Sequence, residues 1–310
     1  MKLKYQAQST GAATNSDASS GAVNWTNPGN VTSSDNTYAN AQMALGGKSE
    51  YLQCLDFGFD LKRKALIVGL ECHVEAHLDS GSTANGAFAE VSLVKGGGIV
   101  ASSDQSDTNV IGGNADSIFR FGGKHDRWGT SISLADLESP SFGVVIQAAG
   151  PPGAALADVM IDHVQLVAFY AHSIKQAMHA HITGSSLITD ITGGRVYYRT
   201  APQNVTEPYL TYQVIDATTE HHQGGSSGMG RTRLQVDSYS TDADEVESLA
   251  TAVRMAVDGF RGTSNETFIN NATLENKIDG IEGPSSGKQF GIERTTQDFM
   301  VAHDESVPTT

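Results

Sequence analysis

Alternation of apolar and polar residues dominates the first half of the chain. It is strictest from Leu66 to Leu78, where one side of the pattern is apolar or small and the other carries Glu and His. A period of two places the two sets on opposite faces of a β-strand. Weaker versions recur, with a Gly-rich turn at 96–98, over residues 88–94, 99–101, 142–148 and 158–170. Many short strands with Gly-rich turns predict an all-β sandwich of the jelly-roll type.

The period changes from two to 3.6 at Ser173. Ser173 and Gln176 form a capping-box pattern, and an apolar stripe then runs to Ile182 before Gly184 ends the predicted helix. The following residues predict a small, mostly antiparallel sheet with helices on one side, so the second half of the chain is expected to be an α+β domain.

A second helix is predicted from Thr241 to Phe260, because apolar residues recur there at three- and four-residue steps. Two predicted strands precede it, at 209–215 and 231–237, and the stretch from Thr218 to Gly230 between them is predicted to be a long, disordered turn. The residues from Thr263 to Ser286 show no clear pattern, and a last strand is predicted from Gln289 to His303.

These patterns divide the chain into three parts. Residues 1–22 are rich in Ser, Ala, Gly and Thr, and we expect a flexible arm because they can bury little apolar surface. Residues 23–172 form the predicted sandwich, and residues 173–310 the predicted α+β domain.

Cys54 and Cys72 are expected to be free core thiols, since no signal segment follows Met1.

Charge argues against a nucleic-acid-binding surface. The chain has 20 basic and 35 acidic residues, for a net charge of −15. Such an excess of acid repels phosphate, so DNA is expected to pass such a protein without specific binding. No apolar run approaches the ~20 residues that a membrane helix needs, and no membrane contact is expected.

Several local patterns imitate catalytic or metal sites. Gly224–Gly228 matches G-x-S-x-G around Ser226, but it lies between two strands instead of at a strand-to-helix turn. Gly283–Lys288 resembles a phosphate-binding loop that is one residue short. The side chains of His179 and His181 point apart on a helix, and the histidines at 73 and 77 or 221 and 222 show no fourth ligand. We therefore expect no catalytic residues, no cofactor and no metal, and predict that the chain is not an enzyme.

The long turn and the strand beside it are the strongest candidates for an assembly interface, because this segment exceeds the length that a hairpin needs. In this interpretation Arg231 and Arg233 pair with the acidic start of the second helix in a neighbouring subunit. The candidate interface residues are Glu220, His221, His222, Gln223, Gly224, Gly225, Gly228, Met229, Arg231, Arg233, Asp242 and Glu245.

Residues 173–310 resemble the phage tail terminator family, also called tail completion or tail-to-head joining proteins. After a first helix, the resemblance rests on an ordered series of segments: GGRVYYRTAPQ (193–203), EPYLTYQV (207–214), RTRLQVDSYS (231–240), ESLATAVRMAV (247–257) and RTTQDFMVAHDE (294–305). It implies a hexameric ring that caps the tail tube, contacts the major tail tube protein and head-completion or neck proteins, and lets DNA pass. Assembly in the host cytoplasm and a place in the virion neck follow from the same resemblance. Residues 1–172 depart from it, since most members consist of the terminator domain alone.

The N-terminal region resembles β-sandwich modules of phage structural proteins. The resemblance rests on WTNP (25–28), SSDNTYA (33–39), FGF (57–59) and the segment 122–129. It implies decoration of the neck or contact with an adjacent ring. The alternative is a glycan- or receptor-binding tail or fibre component, in which Trp25, Trp128 and a few tyrosines in loops would stack on sugars. Aromatic residues make up 7% of the chain and lie mostly in predicted strands, which favours core use instead.

Overall fold

The computed structural model describes residues 4–18, 21–44, 46–61, 65–106, 110–151, 156–223, 225–283 and 291–305. By internal contacts the chain divides into two compact units, Leu3–Ala171 and His172–Thr310. Strands predominate throughout, which confirms the β-rich prediction. Gly224, most of the Gly283–Lys288 loop and the first residues of the last predicted strand lie outside the described residues.

In the described residues, the strands of the first unit form two sheets. The strands are β1 (Lys4–Ser9), β2 (Ala12–Ser16), β3 (Ala39–Ala44), β4 (Tyr51–Leu55), β5 (Leu66–Leu78), β6 (Gly86–Lys95), β7 (Gly98–Ile99), β8 (Val110–Ile111), β9 (Ser117–Gly123), β10 (Gly143–Ala149) and β11 (Leu156–Ala171). One sheet has the order β1-β11-β5-β9, with β3 also on β11, and the other has the order β2-β4-β10-β6-β7, with β8 also on β6. A short helix, α1 (Leu134–Leu137), precedes β10.

Both sheets contribute side chains to one hydrophobic core. Leu70 and Val74 of β5 are fully buried in it, as are Leu93 of β6 and Ile146 of β10. Strand β5 has the predicted bounds because its period-two pattern puts its apolar face in this core. Each large side chain buried there stabilises the fold by about 1.5–3 kcal/mol. Cys54 and Cys72 are free and buried, as expected.

The flexible arm predicted for residues 1–22 is wrong for the segments that form β1 and β2. Strand β1 pairs with β11 from Lys4 opposite Tyr170 onwards, and β2 pairs with β4 in the other sheet. Between them the chain crosses from one sheet to the other, where Gly11 N–H donates to the carbonyl of Asp56 at 2.9 Å. An edge strand needs only backbone partners, so the scarcity of large apolar residues did not prevent strand formation.

The two tryptophans are core residues. Trp25 and Trp128 are 2% and 0% exposed, and their indole N–H groups donate to the carbonyls of Glu50 and Leu70, each at 2.9 Å. The stacking surfaces that the glycan-binding alternative requires are therefore inside the protein. Their burial agrees with the core use that the sequence favours for the aromatic residues.

The second unit has a sheet with the order β12-β13-β14-β17-β16-β15. Its strands are β12 (Val196–Tyr198), β13 (Tyr209–His222), β14 (Gly225–Ser240), β15 (Gly262–Ser264), β16 (Thr267–Glu282) and β17 (Ile292–Asp304). Its helices are α2 (Ile174–Thr183), α3 (Ser186–Thr192) and α4 (Ala243–Val257). Strands β12 and β13 are parallel, and all other neighbouring strands are antiparallel.

Helix α4 packs its apolar stripe against this sheet. Leu249 and Val253 lie in one core with Leu234 of β14 and Phe299 of β17, and all four are fully buried. The predicted cap of α4 is present, because the Asp242 side chain accepts from the N–H groups of Asp244 and Glu245 at 2.9 Å. The capping box predicted for the first helix is likewise present at the start of α2.

The long turn predicted between Thr218 and Gly230 is wrong. Strand β13 continues to His222 and β14 begins at Gly225, so almost all of this segment is a paired hairpin. Residues 263–282, which show no clear pattern in the sequence, form β15 and β16. Both segments are rich in small and polar residues, whose strands depend on backbone pairing rather than on an apolar face.

Gly11→Ala should destabilise the first unit, because a Cβ at residue 11 would lie 2.5 Å from the carbonyl oxygen of Asp56. We expect a loss of about 1–3 kcal/mol in the free energy of unfolding. Urea unfolding followed by tryptophan fluorescence measures it, since Trp25 and Trp128 both lie in this unit.

Gly29→Ala is the matched control, because nothing lies within 4 Å of the added Cβ. Its effect should stay within about 0.5 kcal/mol. Equal urea midpoints for the two variants would contradict the close approach at Gly11.

Candidate functional site

The hairpin of β13 and β14 extends beyond the strand next to it. Strand β17 ends at Asp304, opposite Met229 of β14, and the Glu305 N–H donates to the Gly228 carbonyl at 2.8 Å. The residues between Thr219 and Gly228 therefore project past the end of β17. We call these residues, with Gly224 outside the described part, the hairpin tip. Its exposed side chains are available to a partner.

Contacts within the chain hold the base of the tip. Arg231 Nε lies 2.6 Å from a carboxylate oxygen of Glu220 on the opposite strand. The Thr219 hydroxyl donates to Glu305 at 2.7 Å, and the Ser227 hydroxyl donates to the Glu220 carbonyl at 2.9 Å. The tip is thus a hydrogen-bonded hairpin and not the disordered loop that its composition indicates.

The candidate interface residues fall into two groups that one chain does not bring together. Glu220, Met229 and Arg231 lie at or beside the hairpin tip. Asp242 and Glu245 lie at the other end of β14, where Asp242 caps α4 and Glu245 accepts from the Ser240 hydroxyl. The ten residues from Arg231 to Ser240 span about 30 Å of extended strand.

Arg231 and Arg233 already have partners within the chain. Arg231 pairs with Glu220, and Arg233 pairs with Asp298 of β17 at 3.0 Å. Contact of these arginines with the acidic helix start of a neighbour stays a prediction, and it now requires that the neighbour compete with these carboxylates.

The sheet face opposite the helices is polar, and the sequence did not single it out. The rings of Tyr209 and Tyr239 stack there with centroids 4.7 Å apart. Beside them the Thr296 hydroxyl donates to Asp237 at 2.5 Å. Burial raises the pKa of the Asp237 carboxyl, although the hydrogen bond from Thr296 and the charge of Arg294 oppose that shift. Asp237 is only 7% exposed, because neighbouring side chains on this face cover it.

The motifs that imitate enzyme sites lack the required geometry in the described residues. Ser226 lies within β14, and its hydroxyl accepts from the Gly228 N–H at 3.3 Å. His181 contacts the Ala256 carbonyl at 2.8 Å and stacks on Phe260, whereas His179 stacks on Tyr212. These imidazoles therefore act in packing.

Three carboxylate side chains of the first unit lie close together, and the sequence patterns did not predict this cluster. Single carboxylate oxygens of Glu75, Asp116 and Asp162 lie within 4.8 Å of one another. His77 and Tyr38 contact Asp116 at 2.7 and 3.1 Å, and the Asp35 N–H donates to Asp162 at 3.3 Å. These contacts partly satisfy Asp116 and the buried Asp162.

In the part of the chain that is described, the helices are too short or too polar to cross a membrane.

Asp237→Asn should stabilise the protein at neutral pH. Because the pKa of Asp237 is raised in the folded state, its contribution to stability is largest in acid, below the unfolded pKa, and is lost as the pH rises through the folded pKa. The Asn side chain does not ionise, so the variant avoids this loss of stability at neutral pH. We expect a melting temperature about 2–4 °C higher at pH 7, which corresponds to a gain near 1 kcal/mol in the free energy of unfolding. Scanning calorimetry from pH 3 to 7 should show the gain growing with pH.

The control for that series is Asp216→Asn, an exposed carboxylate on β13. It should change the melting temperature little at any pH. A gain from Asp237→Asn that is the same at pH 3 and pH 7 would contradict the assignment.

Comparison with known proteins finds a family match within the second unit. Residues 176–279 match the sequence model described as Tail completion protein gp17. The chain is also similar to a solved chain from the virion of a native gene transfer agent (GTA) particle, at 11% identity and a TM-score of 0.35 over 43% of this chain and 99% of that chain. That similarity is too low to carry an argument, and no curated protein matches. Residues 176–279 therefore match the phage tail completion protein family, the same family that their motifs resemble.

Proposed function

We propose that this protein is a non-enzymatic tail terminator, which forms a hexameric ring on the tail tube of a phage and joins the tube to the head. The family match over residues 176–279 is the observation that carries the proposal. The major tail tube protein lies on one side of the ring and head-completion or neck proteins on the other. The protein is assembled in the host cytoplasm and remains in the virion neck.

The hairpin tip is the proposed contact with the tail tube. It projects beyond β17, and much of its side-chain surface is exposed. Its base is fixed by Arg231 with Glu220 and by Thr219 with Glu305. A projection that is already ordered loses less conformational entropy on binding than a disordered loop would. The tip therefore offers a preformed element to a ring of tube subunits.

The charge of the chain fits a conduit for DNA. At a net charge of −15, the protein repels phosphate and does not hold a passing duplex. The first unit, as a jelly-roll-type sandwich, decorates the neck, and the second unit, as an α+β domain, forms the ring. Glycan binding by the first unit has no comparable support, because Trp25 and Trp128 are buried.

Shortening the hairpin tests the proposed tube contact. We would replace residues 220–229 by Asn-Gly, which joins Thr219 to Gly230 through a two-residue turn at the point where these residues pair. The variant should keep the melting temperature of the rest of the protein and lose at least about tenfold in affinity for purified tail tubes in co-sedimentation, which corresponds to about 1.4 kcal/mol.

The matched control keeps the hairpin length and replaces the exposed His221 and Gln223 with Ser. If the control binds tubes and the shortened hairpin does not, the projection itself makes the contact. If the shortened variant binds tubes as the wild type does, the hairpin tip is not the tube contact. If the wild-type protein shows no affinity for tubes and forms no ring on their ends, the terminator function is wrong.

A further inference from the structure

Two cations of the second unit meet at one aromatic ring. Lys175 Nζ is 3.9 Å from the centroid of the Tyr198 ring, and the guanidinium carbon of Arg199 is 5.2 Å from the same centroid. Cation–π attraction holds both groups at this ring, which is partly exposed. We call Lys175, Tyr198 and Arg199 the Tyr198 patch.

The Tyr198 patch differs from the other cations in the described part of this unit. Arg195 donates to the Pro208 carbonyl at 3.1 Å, and Arg261 lies 6.0 Å from the Phe268 ring. Among the described residues, Lys175 and Arg199 have no carboxylate within 4.0 Å, so no opposite charge of the chain offsets them directly. The cations that do have a carboxylate within this distance are Arg231, Arg233, Arg254, Lys277 and Arg294.

Local stability does not explain the cations of the Tyr198 patch. Lys175 lies in the first turn of α2, which has no acidic residue, and the helix dipole disfavours a cation there. The first turn of α4, by contrast, carries Asp244 and Glu245. Arg199 has a φ of 65°, and its N–H donates to the Tyr212 carbonyl at 2.9 Å. A left-handed backbone is uncommon for such a residue and is a reason to look for a function there.

The Tyr198 patch and the hairpin tip lie near opposite ends of strand β13. Tyr198 pairs with Tyr212, close to the start of β13. The tip begins at Thr219, seven residues further along the same strand. Seven residues of extended strand span about 23 Å. The two surfaces are therefore separate, and a ring that binds the tube through the hairpin tip has the Tyr198 patch available for a second protein.

The charge of the Tyr198 patch selects a negatively charged partner. Carboxylates form charge-assisted hydrogen bonds with both Lys and Arg, so a segment with several carboxylates can meet both cations at once. Duplex DNA carries one negative charge per about 1.7 Å and needs a broad basic surface. The patch offers two cations in a chain with a net charge of −15, which suits a short acidic protein segment better than DNA.

We propose that the Tyr198 patch binds an acidic segment of a partner protein, with one carboxylate on Lys175 and another on Arg199. This inference rests on the proposed function in one respect. Because the hairpin tip contacts the tube, the partner at the Tyr198 patch is the protein on the head side of the ring. Cations that the Tyr198 ring already holds lose less side-chain entropy when this partner binds.

A labelled hexaglutamate peptide is the probe for this site. It is titrated into the full chain and followed by fluorescence anisotropy in about 0.15 M salt, where distant charges are screened and close pairs persist. Lys175→Ala and Arg199→Ala should each weaken binding about threefold, and the two together about tenfold. Both variants should keep the wild-type melting temperature, since the two cations have no carboxylate partner to lose.

The ring has its own pair of variants. Tyr198→Phe keeps the aromatic face and should bind hexaglutamate as the wild type does. Tyr198→Leu removes that face and should weaken binding about threefold, because the two cations are then no longer held together. A loss of charge alone would not distinguish these two variants.

Arg254→Ala is the matched control for the charge variants. Arg254 lies in the same unit, its side chain is exposed, and its charge is paired with Asp258. The substitution removes the same charge and should leave the affinity for hexaglutamate unchanged. A hexaglutamine peptide should not bind, and a DNA duplex of about 20 base pairs serves as the competing anion.

The outcomes separate this inference from the proposed function. Loss of hexaglutamate binding in the Lys175 and Arg199 variants but not in Arg254→Ala supports the site. No wild-type binding up to about 1 mM peptide, an equal loss from Arg254→Ala, or binding of the duplex alone overturns it. These titrations contain no tubes, so the terminator function would still stand. A protein that binds hexaglutamate at the patch but has no affinity for tubes keeps the site and loses the terminator function, and with it the assignment of the partner to the head side.

Discussion

The pairing of β14 with β17 is the constraint on which the second unit depends. It runs without a register shift from Met229 opposite Asp304 to Ser240 opposite Glu293. Leu234 and Phe299 from these strands lie in the core beneath α4, while Asp237 and Thr296 face the other way. A slip by one residue would exchange these two sets between the core and the open face. The same ladder fixes the heights of β13 and β16, and so determines which edge residues share a line across the sheet.

Sequence patterns predicted the elements whose own side chains specify them. Strand β5 has a strict apolar face, and α4 has both a stripe and an Asp242 cap, so each was visible locally. Strand β1 was not, because its partner is Tyr170 and its neighbours on β11, far along the chain. The tip of the β13–β14 hairpin was missed for a related reason, since its small polar residues carry no period and the backbone ladder alone holds them.

The site was predicted in part because function here depends on surfaces. The sequence located the segment from Glu220 to Arg233 but not its shape, and it did not reveal that Arg231 and Arg233 have partners in their own chain. The two cations over the Tyr198 ring were missed because a residue type does not show which cations lack a carboxylate. Only the folded chain shows that Lys175 and Arg199 meet over Tyr198. The buried Asp237 was missed because burial at an alternating polar position arises from its lateral neighbours.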